Sequence, residues 1–142
     1  MTTYNIASIR SAISALLSAI TTISEVHSYM AAQLTNYPAI IFELDNEDAE
    51  MLDTTNNTRI LTFKLWIVVE VANEGISAAS ALLDGVTKDV INVLELQSNS
   101  TLSGNADWVM PVMGKRDQVA SPEGSLMYQE LLFKVYVAST IL

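Results

Sequence analysis

The sequence predicts an α+β domain in which two helices pack on one face of a mostly antiparallel four-stranded sheet. Three observations predict this class. Apolar residues recur at steps of three and four in two segments, which indicates helices. In four other segments apolar and polar residues alternate, which indicates strands, and the six segments follow the order α-β-β-α-β-β. Helices on one side of such a sheet bury every apolar stripe. The length of 142 residues, without a repeat or linker, predicts a single domain over residues 1–142.

The first helix is predicted from about Asn5 to near Leu34, because isoleucine and leucine recur there at helical spacing. They are Ile6, Ile9, Ile13, Leu16, Ile20 and Ile23. Serine and threonine fill the opposite face, and since both are mediocre helix formers, packing must hold this helix. Pro38 ends it, because proline disfavours a helical residue before it and cannot continue the hydrogen-bond ladder.

Two strands are predicted next. Residues 39–44 form a short strand, and the polar stretch 45–58 is a long hairpin connection rich in turn residues. Residues 59–71 form the clearest strand, because apolar residues alternate along it. The inward-facing residues are Leu61, Phe63, Leu65, Ile67, Val69 and Val71. The other face is mixed, which fits partial covering by another chain; it holds Thr62, Lys64, Trp66, Val68 and Glu70.

The second half of the chain also has one predicted helix followed by two predicted strands. A helix is predicted from a cap at Ser77 to about Leu96. Its buried residues are Ile76, Ala79, Leu83, Val86, Val90 and Val93. Residues 107–113 form a strand in which Pro111 indicates an edge or a bulge, and 114–124 form a long polar loop. The last strand, 127–138, points Leu131, Phe133, Val135 and Val137 inward and Tyr128, Glu130, Lys134 and Tyr136 outward.

The composition excludes several classes of function. Seven Lys and Arg residues against 16 Asp and Glu residues give a formal charge of −9. This charge repels DNA phosphates and counts against a role in gripping nucleic acid, though not against a surface past which DNA slides. The absence of cysteine excludes disulfides, thiolate zinc sites and a cysteine nucleophile.

No pattern in the sequence predicts an enzyme, a cofactor site or a metal site. His27, near the end of the predicted first helix, has no catalytic partner at a recognised spacing. The acidic run 45–53 lacks the glycine that a calcium-binding loop requires at its sixth position, which favours a solvated acidic hairpin. The uncharged stretch 11–24 is too short to span a bilayer, so no membrane partner is expected.

Several segments resemble one family. The segments are "LTNYPAIIFEL", "DTTNNTR" before "ILTFKLWIVV", "STLSGNADWVMPV" and "YQELLFKVYV". The order of these segments resembles that in the tail terminator (tail completion) proteins of long-tailed bacteriophages. The resemblance covers nearly the whole chain and rests on the order of elements. Its most telling residues are Tyr37-Pro38-Ala39 and Thr101-Leu102 with Gly104, each ahead of a strand.

This resemblance implies a structural role in the virion. Members of the family assemble as a six-fold ring on the last ring of the tail tube, stop tube polymerisation and present the surface that joins tail to head. The implied partners are further copies of the chain, the tail tube protein, the head–tail connector protein and genome DNA that passes without specific binding. Assembly in the host cytoplasm and a place at the head-proximal end of the tail are implied. Acid lining the channel would repel DNA phosphates.

Two kinds of surface are candidates for contacts. Trp66, Val68 and Tyr136 are predicted as a subunit interface, because aromatic anchors dominate interfaces; the alternative is that they pack under a loop of their own chain. The loops 47–58 and 114–124 are candidates for facing the channel, tube or neck. Their candidate residues are Glu47, Asp48, Glu50, Asp53, Lys115, Arg116 and Asp117.

Two other functions stay open. The chain is alternatively a head-to-tail connector or neck protein. From another class, it is alternatively a dimeric α+β module that holds an apolar small molecule between helices and sheet. Assembly state separates the classes, because a ring favours the tail protein and a ligand-stabilised dimer favours the binding module.

Overall fold

The computed structural model describes residues 5–28, 34–51, 56–71, 75–99, 101–121 and 124–140. They form helices α1 (Ile6–Ser18) and α2 (Ile76–Leu94) and strands β1 (Glu25–His27), β2 (Ala39–Met51), β3 (Asn56–Val71), β4 (Trp108–Ser121) and β5 (Gly124–Thr140). A 3-10 turn, Gln97–Asn99, follows α2. The predicted α+β class is confirmed. The predicted four-stranded sheet is wrong, because the sheet has five strands.

The sheet is mixed, with the strand order β1-β2-β3-β5-β4. β1 pairs with β2 in parallel, and all the other neighbours are antiparallel. β3 lies at the centre between β2 and β5 and pairs with β5 from Asn56 to Val71. β1 and β4 are therefore the two edges.

One hydrophobic core joins both helices to the same face of the sheet. The alternation predicted for the last strand is confirmed, since its four inward residues are fully buried. In β3, five of the six predicted residues are fully buried and Val71 is half-buried. The phenyl rings of Phe42 and Phe63 meet edge to face with centroids 6.2 Å apart. Burial of large aromatic and branched side chains supplies the main driving force for this fold.

The first helix is shorter than predicted. The Asn5 side chain caps α1 by accepting a bond of 3.1 Å from the Ser8 N–H, but the helix ends at Ser18 rather than near Leu34. Residues 29–33 of the predicted helix lie outside the described residues. The β-branched run that follows is a weak helix former. The Ser24 N–H donates to the Pro38 carbonyl over 2.8 Å, and the chain then enters β1. Pairing with the edge of β2 thus replaces the predicted helical turns.

The predicted connection 45–58 is instead largely strand. β2 continues to Met51 and β3 begins at Asn56, with a register irregularity between Leu44 and Asn46. Polar side chains do not prevent this, because backbone groups pair equally well where both faces of a hairpin meet water. An ion pair of 2.9 Å between Arg59 and Glu47 adds a cross-strand contact.

The second helix begins differently from its prediction. Gly75 is the N-cap residue, with a φ of +90° and no side-chain cap bond, so Ser77 lies inside α2 rather than capping it. Ala79, Leu83, Val86 and Val90 are buried as predicted. Ile76 is not, because it begins the helix and is 56% exposed. Val93 is half-buried, and Leu94 contributes a buried side chain instead.

The predicted loop 114–124 is wrong over residues 114–121, and residues 122–123 lie outside the described part of the chain. β4 runs through it to Ser121, and a register shift between Met113 and Arg116 interrupts its pairing with β5. Gly114 permits a close approach there, because a Cβ atom at this position would lie 2.9 Å from the Glu130 carbonyl oxygen. Pro111 lies on this edge strand, as its missing N–H predicts.

Within the described ranges, neither helix combines the length and the apolar character needed to cross a bilayer.

Candidate functional site: the outer face of the sheet

The sheet face turned away from both helices, here called the outer face, carries the predicted interface residues. Val68 of β3 lies between Ala39 of β2 and Tyr128 of β5 and is nearly buried. Trp66 is half-buried, and the Lys64 ammonium lies 5.9 Å from the centroid of its ring. Their placement on the face opposite the helices agrees with the alternation in the sequence.

Tyr136 does not join Trp66 and Val68. It is opposite Ile60 in the β3–β5 register, whereas Trp66 is opposite Glu130. Six residues of strand therefore separate it from Trp66, about 20 Å at the usual rise. The three predicted residues share one face but occupy its two ends.

Trp108 completes the Tyr136 end, and sequence reasoning missed it. The indole of Trp108 stacks on the Tyr136 ring, with centroids 4.0 Å apart and planes within 4°. Trp108 is still 45% exposed, and the next two outward residues of β4, Met110 and Val112, are exposed as well. The signal was present in "DWVMPV", where apolar residues occupy both faces of an edge strand.

Charged residues interrupt this apolar surface. The Lys64 ammonium lies 3.7 Å from the Asp45 carboxylate. Glu43 of β2 is opposite Lys64 in the β2–β3 register. Lys134 lies beside Met110 in the β4–β5 register. Among the residues that the structure describes, Lys134 forms no ion pair. The outer face is thus an aromatic and aliphatic surface with a few charges at fixed places.

The predicted acidic residues lie on a β-hairpin rather than in a loop. Glu47 pairs with Arg59, so part of its charge is neutralised. Asp48 is exposed and accepts a bond of 3.2 Å from the Asn46 side-chain amide. Glu50 is on β2, and Asp53 lies outside the described residues. The neighbouring Glu47 and Asp48 lie on opposite faces of β2, as strand geometry requires.

The three predicted residues at 115–117 do not share one face of β4. Lys115 and Asp117 are exposed. Arg116 turns toward the helices, where it donates to the Asp84 carboxylate of α2 over 2.6 Å and to the Gln129 side chain over 2.9 Å. These bonds tie β4 to α2 and give Arg116 a structural contact within its own chain.

His27 lies on β1 rather than in a helical turn. Its Nε2 is 2.9 Å from the Glu25 carboxylate. Backbone N–H groups of Asn36 and Thr35 donate to the same carboxylate, each over 3.1 Å. These bonds, that of Asn36 first, lower the pKa of Glu25 to about 2, and the His27 side chain adds to the effect. The arrangement joins β1 to the segment that leads into β2.

Metal and ligand sites have weak support on this surface. In the described part of the chain, no three His, Asp or Glu side chains gather closely enough to hold a metal ion. An open groove of about 400 Å³ lies between residues 35–37 and the start of α2, and Ala78 and Leu82 line its helical side. Among the described residues that line this groove, His27 is absent and no acidic side chain is paired with a basic one.

No protein-family model and no curated protein matches the sequence. Among solved structures, the chain is similar to one from the virion of a native gene transfer agent (GTA) particle. The two are 15% identical, with a TM-score of 0.48, and the match covers 96% of this chain and 100% of the other. These comparisons assign the chain to no family.

Proposed function

We propose that this protein is a structural virion component that caps the tail tube of a long-tailed bacteriophage as a ring. One observation carries the proposal: the outer face presents Trp108, Met110 and Val112 to solvent. A solvated antiparallel sheet usually turns polar residues outward, and aromatic and methionine side chains are enriched where proteins meet. The sequence resemblance to tail terminators supplies the kind of assembly, a six-fold ring.

The proposed ring has two partners besides its own copies. One side docks on the last ring of the tail tube protein and ends its polymerisation. The other side presents the surface that the head–tail connector binds. The exposed Asp48, Lys115 and Asp117 lie at positions on the sheet that can serve such contacts. This role is structural and requires no catalytic residue or cofactor.

The proposed ring also accounts for the negative net charge of the chain. A charge of −9 per chain accumulates around a closed ring and creates a field that repels phosphates. Exposed acids of the β2–β3 hairpin, among them Asp45 and Asp48, are the proposed channel-facing groups. DNA then passes without adhering. We propose assembly in the host cytoplasm and a final location at the head-proximal end of the tail.

Native mass spectrometry across a wide range of protein concentrations tests the ring. We expect a discrete hexamer. Adding the wild-type protein to polymerising tail tube protein of the same phage should then stop growth, and electron micrographs should show a cap at one end of each tube. Binding to the isolated connector without any effect on tube growth would instead favour a neck protein.

The second class of function predicts a different result. A module that holds a small molecule remains a dimer at every concentration, and its melting temperature rises when the ligand is present. The inward side chains between helices and sheet form a packed core, and the groove beside Leu82 is open to solvent. A strict dimer would contradict the proposed ring.

A further inference from the structure

The exposed hydrophobic side chains fall into two surfaces. Among the described residues, eight large hydrophobic side chains are exposed. Three belong to α2 and the turn after it: Ile76, Leu82 and Leu96. Leu82 and Leu96, here called the helix patch, lie on one side of the helix, whereas Ile76 lies about 120° around the axis from Leu82, on the side of the buried Ala79 and Leu83. Four lie on the outer face of β4, here called the strand patch: Trp108, Met110, Val112 and Val119. Met113, the eighth, alternates to the other face.

The exposed side of α2 carries small, uncharged residues around Leu82 in the first half of the helix, whereas Lys88, Asp89 and Asn92 lie between Leu82 and Leu96. Ala78, Ala81 and Gly85 are exposed beside Leu82, which is 49% exposed. The acid in this part of the helix, Asp84, is held by Arg116 over 2.6 Å. Small side chains let another backbone surface approach closely, so this side of α2 suits packing on a sheet.

The two patches lie on opposite sides of the molecule. α2 buries its inner side against β3 and β5, and so its exposed side faces away from the sheet. The strand patch lies on the sheet face that neither helix covers. A two-fold contact uses the same surface of both copies, so it can cover only one of two patches that lie on opposite sides of the molecule. A head-to-tail contact covers both at once and, when its rotation closes, generates a ring.

The lengths of the two patches are compatible. Leu82 and Leu96 are about 21 Å apart along the helix axis at 1.5 Å per residue. Trp108 and Val119 are about 36 Å apart along the strand at 3.3 Å per residue, less the irregularity in β4. The helix patch thus fits within the length of the strand patch when the helix lies along the edge of the sheet.

Charge sets the direction of the helix. The last turn of α2 has no basic residue, Glu95 caps it, and the C-terminal end of a helix carries a partial negative charge. Lys134 lies beside Met110 at the Trp108 end of the strand patch and has no ion-pair partner among the described residues. The C-terminal end of α2 therefore fits over Lys134, which places Leu82 toward Val119.

We infer that the helix patch of one copy packs on the strand patch of the next. Each sheet then receives a second helical layer from its neighbour. This inference rests on the proposed ring and specifies the two surfaces that join its subunits.

Complementary variants test this arrangement. Leu82→Asp removes the helix patch and Met110→Asp the strand patch, and both positions are exposed, so the fold should persist. Each variant alone should be monomeric, with association weakened about 100-fold or more. Leu82→Asp would bury a carboxylate without a partner, and Met110→Asp would neutralise Lys134, the cation that the negative end of the helix would otherwise meet. An equimolar mixture retains one intact pair of surfaces and should form a 1:1 heterodimer that does not grow. Ser11→Asp, on the exposed face of α1, is the matched control and should still form rings.

Cross-linking of introduced cysteines provides a second measurement in case the aspartate variants fold poorly. It is possible because the chain has no cysteine of its own. A chain with both Leu82→Cys and Met110→Cys, treated with a short bifunctional thiol reagent, should give a ladder of linked subunits up to the closed ring. Ser11→Cys combined with Met110→Cys should not. Rings that persist in Leu82→Asp, or a mixture that stays monomeric, would overturn the inference and leave the proposed ring intact. A wild-type protein without any ring would overturn both.

Discussion

The indole of Trp108 and the phenol ring of Tyr136 stack in parallel across the β4–β5 ladder, with centroids 4.0 Å apart. Such a pair contributes about 1 kcal/mol beyond the area that it buries. Since Trp108 is also 45% exposed, the same residue belongs to the fold and to the proposed subunit contact.

Trp108→Ala should therefore lower the free energy of unfolding by about 1 kcal/mol and weaken assembly more strongly. Trp108→Phe keeps a ring on Tyr136 and should retain most of the stability. Urea unfolding and native mass spectrometry separate the two effects. Equal assembly by the alanine variant and the wild type would place Trp108 outside the interface.

Gln129 should stabilise the irregular part of β4. It is nearly buried, its side-chain amide donates to the carbonyls of Gly114 and Glu130 over 3.2 and 3.0 Å, and its oxygen accepts from Arg116. Gln129→Leu should reduce stability by about 2–3 kcal/mol, because these groups lose their partner. Gln118→Leu, at an exposed position of β4, should change urea-unfolding stability by less than about 0.5 kcal/mol.

Thr87 should respond in the opposite direction. Its side chain is buried in α2, and its hydroxyl has no hydrogen-bond partner among the residues that the structure describes. Replacing it by valine, which has a similar shape, removes the cost of an unsatisfied polar group. Thr87→Val should raise the free energy of unfolding by about 1 kcal/mol. Thr62→Val, at a half-buried position on the outer face, is a comparison for the general effect of the substitution. A loss of stability in Thr87→Val would indicate that the hydroxyl has a partner.

Two glycines should give opposite results on conversion to alanine. At Gly114 the new Cβ would lie 2.9 Å from both the carbonyl oxygen and a carboxylate oxygen of Glu130, so Gly114→Ala should cost about 1–3 kcal/mol. At Gly85 in α2 nothing lies within 4 Å, and Gly85→Ala should add about 1 kcal/mol of helix stability. Thermal unfolding in the Met110→Asp background keeps assembly out of the comparison.

The Glu25 carboxylate predicts a dependence of stability on pH. Its pKa in the folded chain, about 2, lies below the ordinary value of 4.5, because the Asn36 and Thr35 N–H groups and then His27 stabilise the charged form. The stabilisation is thus present above pH 4.5 and is lost as the pH falls toward 2. The melting temperature of Glu25→Gln should lie below that of the wild type at pH 6, and the difference should close near pH 2. A constant difference would contradict this linkage.

The order of the four longest strands and the two helices was predictable because buried residues repeat at the period of each element. The alternation of Leu61, Phe63 and Leu65 fixes an inner face, and the spacing of Leu83, Val86 and Val90 fixes a helical stripe. Both patterns follow from burial alone. The sequence thus identifies the faces of the core well.

The ends of the elements were not predictable in the same way. β1 has only three residues, and its position depends on backbone pairing with β2, which leaves no periodic signal. The polar ends of β2 and β4 have the composition of loops, and the backbone pairing that makes them strands leaves no apolar period in the sequence. The stack of Trp108 on Tyr136 depends on the register of β4, which a single strand does not encode.

The pairing of β3 with β5 also determines when the molecule becomes complete during synthesis. Asn56 pairs with Thr140 and Val71 with Ser125, so the central ladder joins segments made far apart in time, with all of α2 and β4 between them. Such distant pairing is slow to form. A nascent chain that lacks β5 has β3 without one of its two neighbours and β4 without its partner. Any contact that needs β4 in its paired position therefore has to wait until β5 has been synthesised and paired.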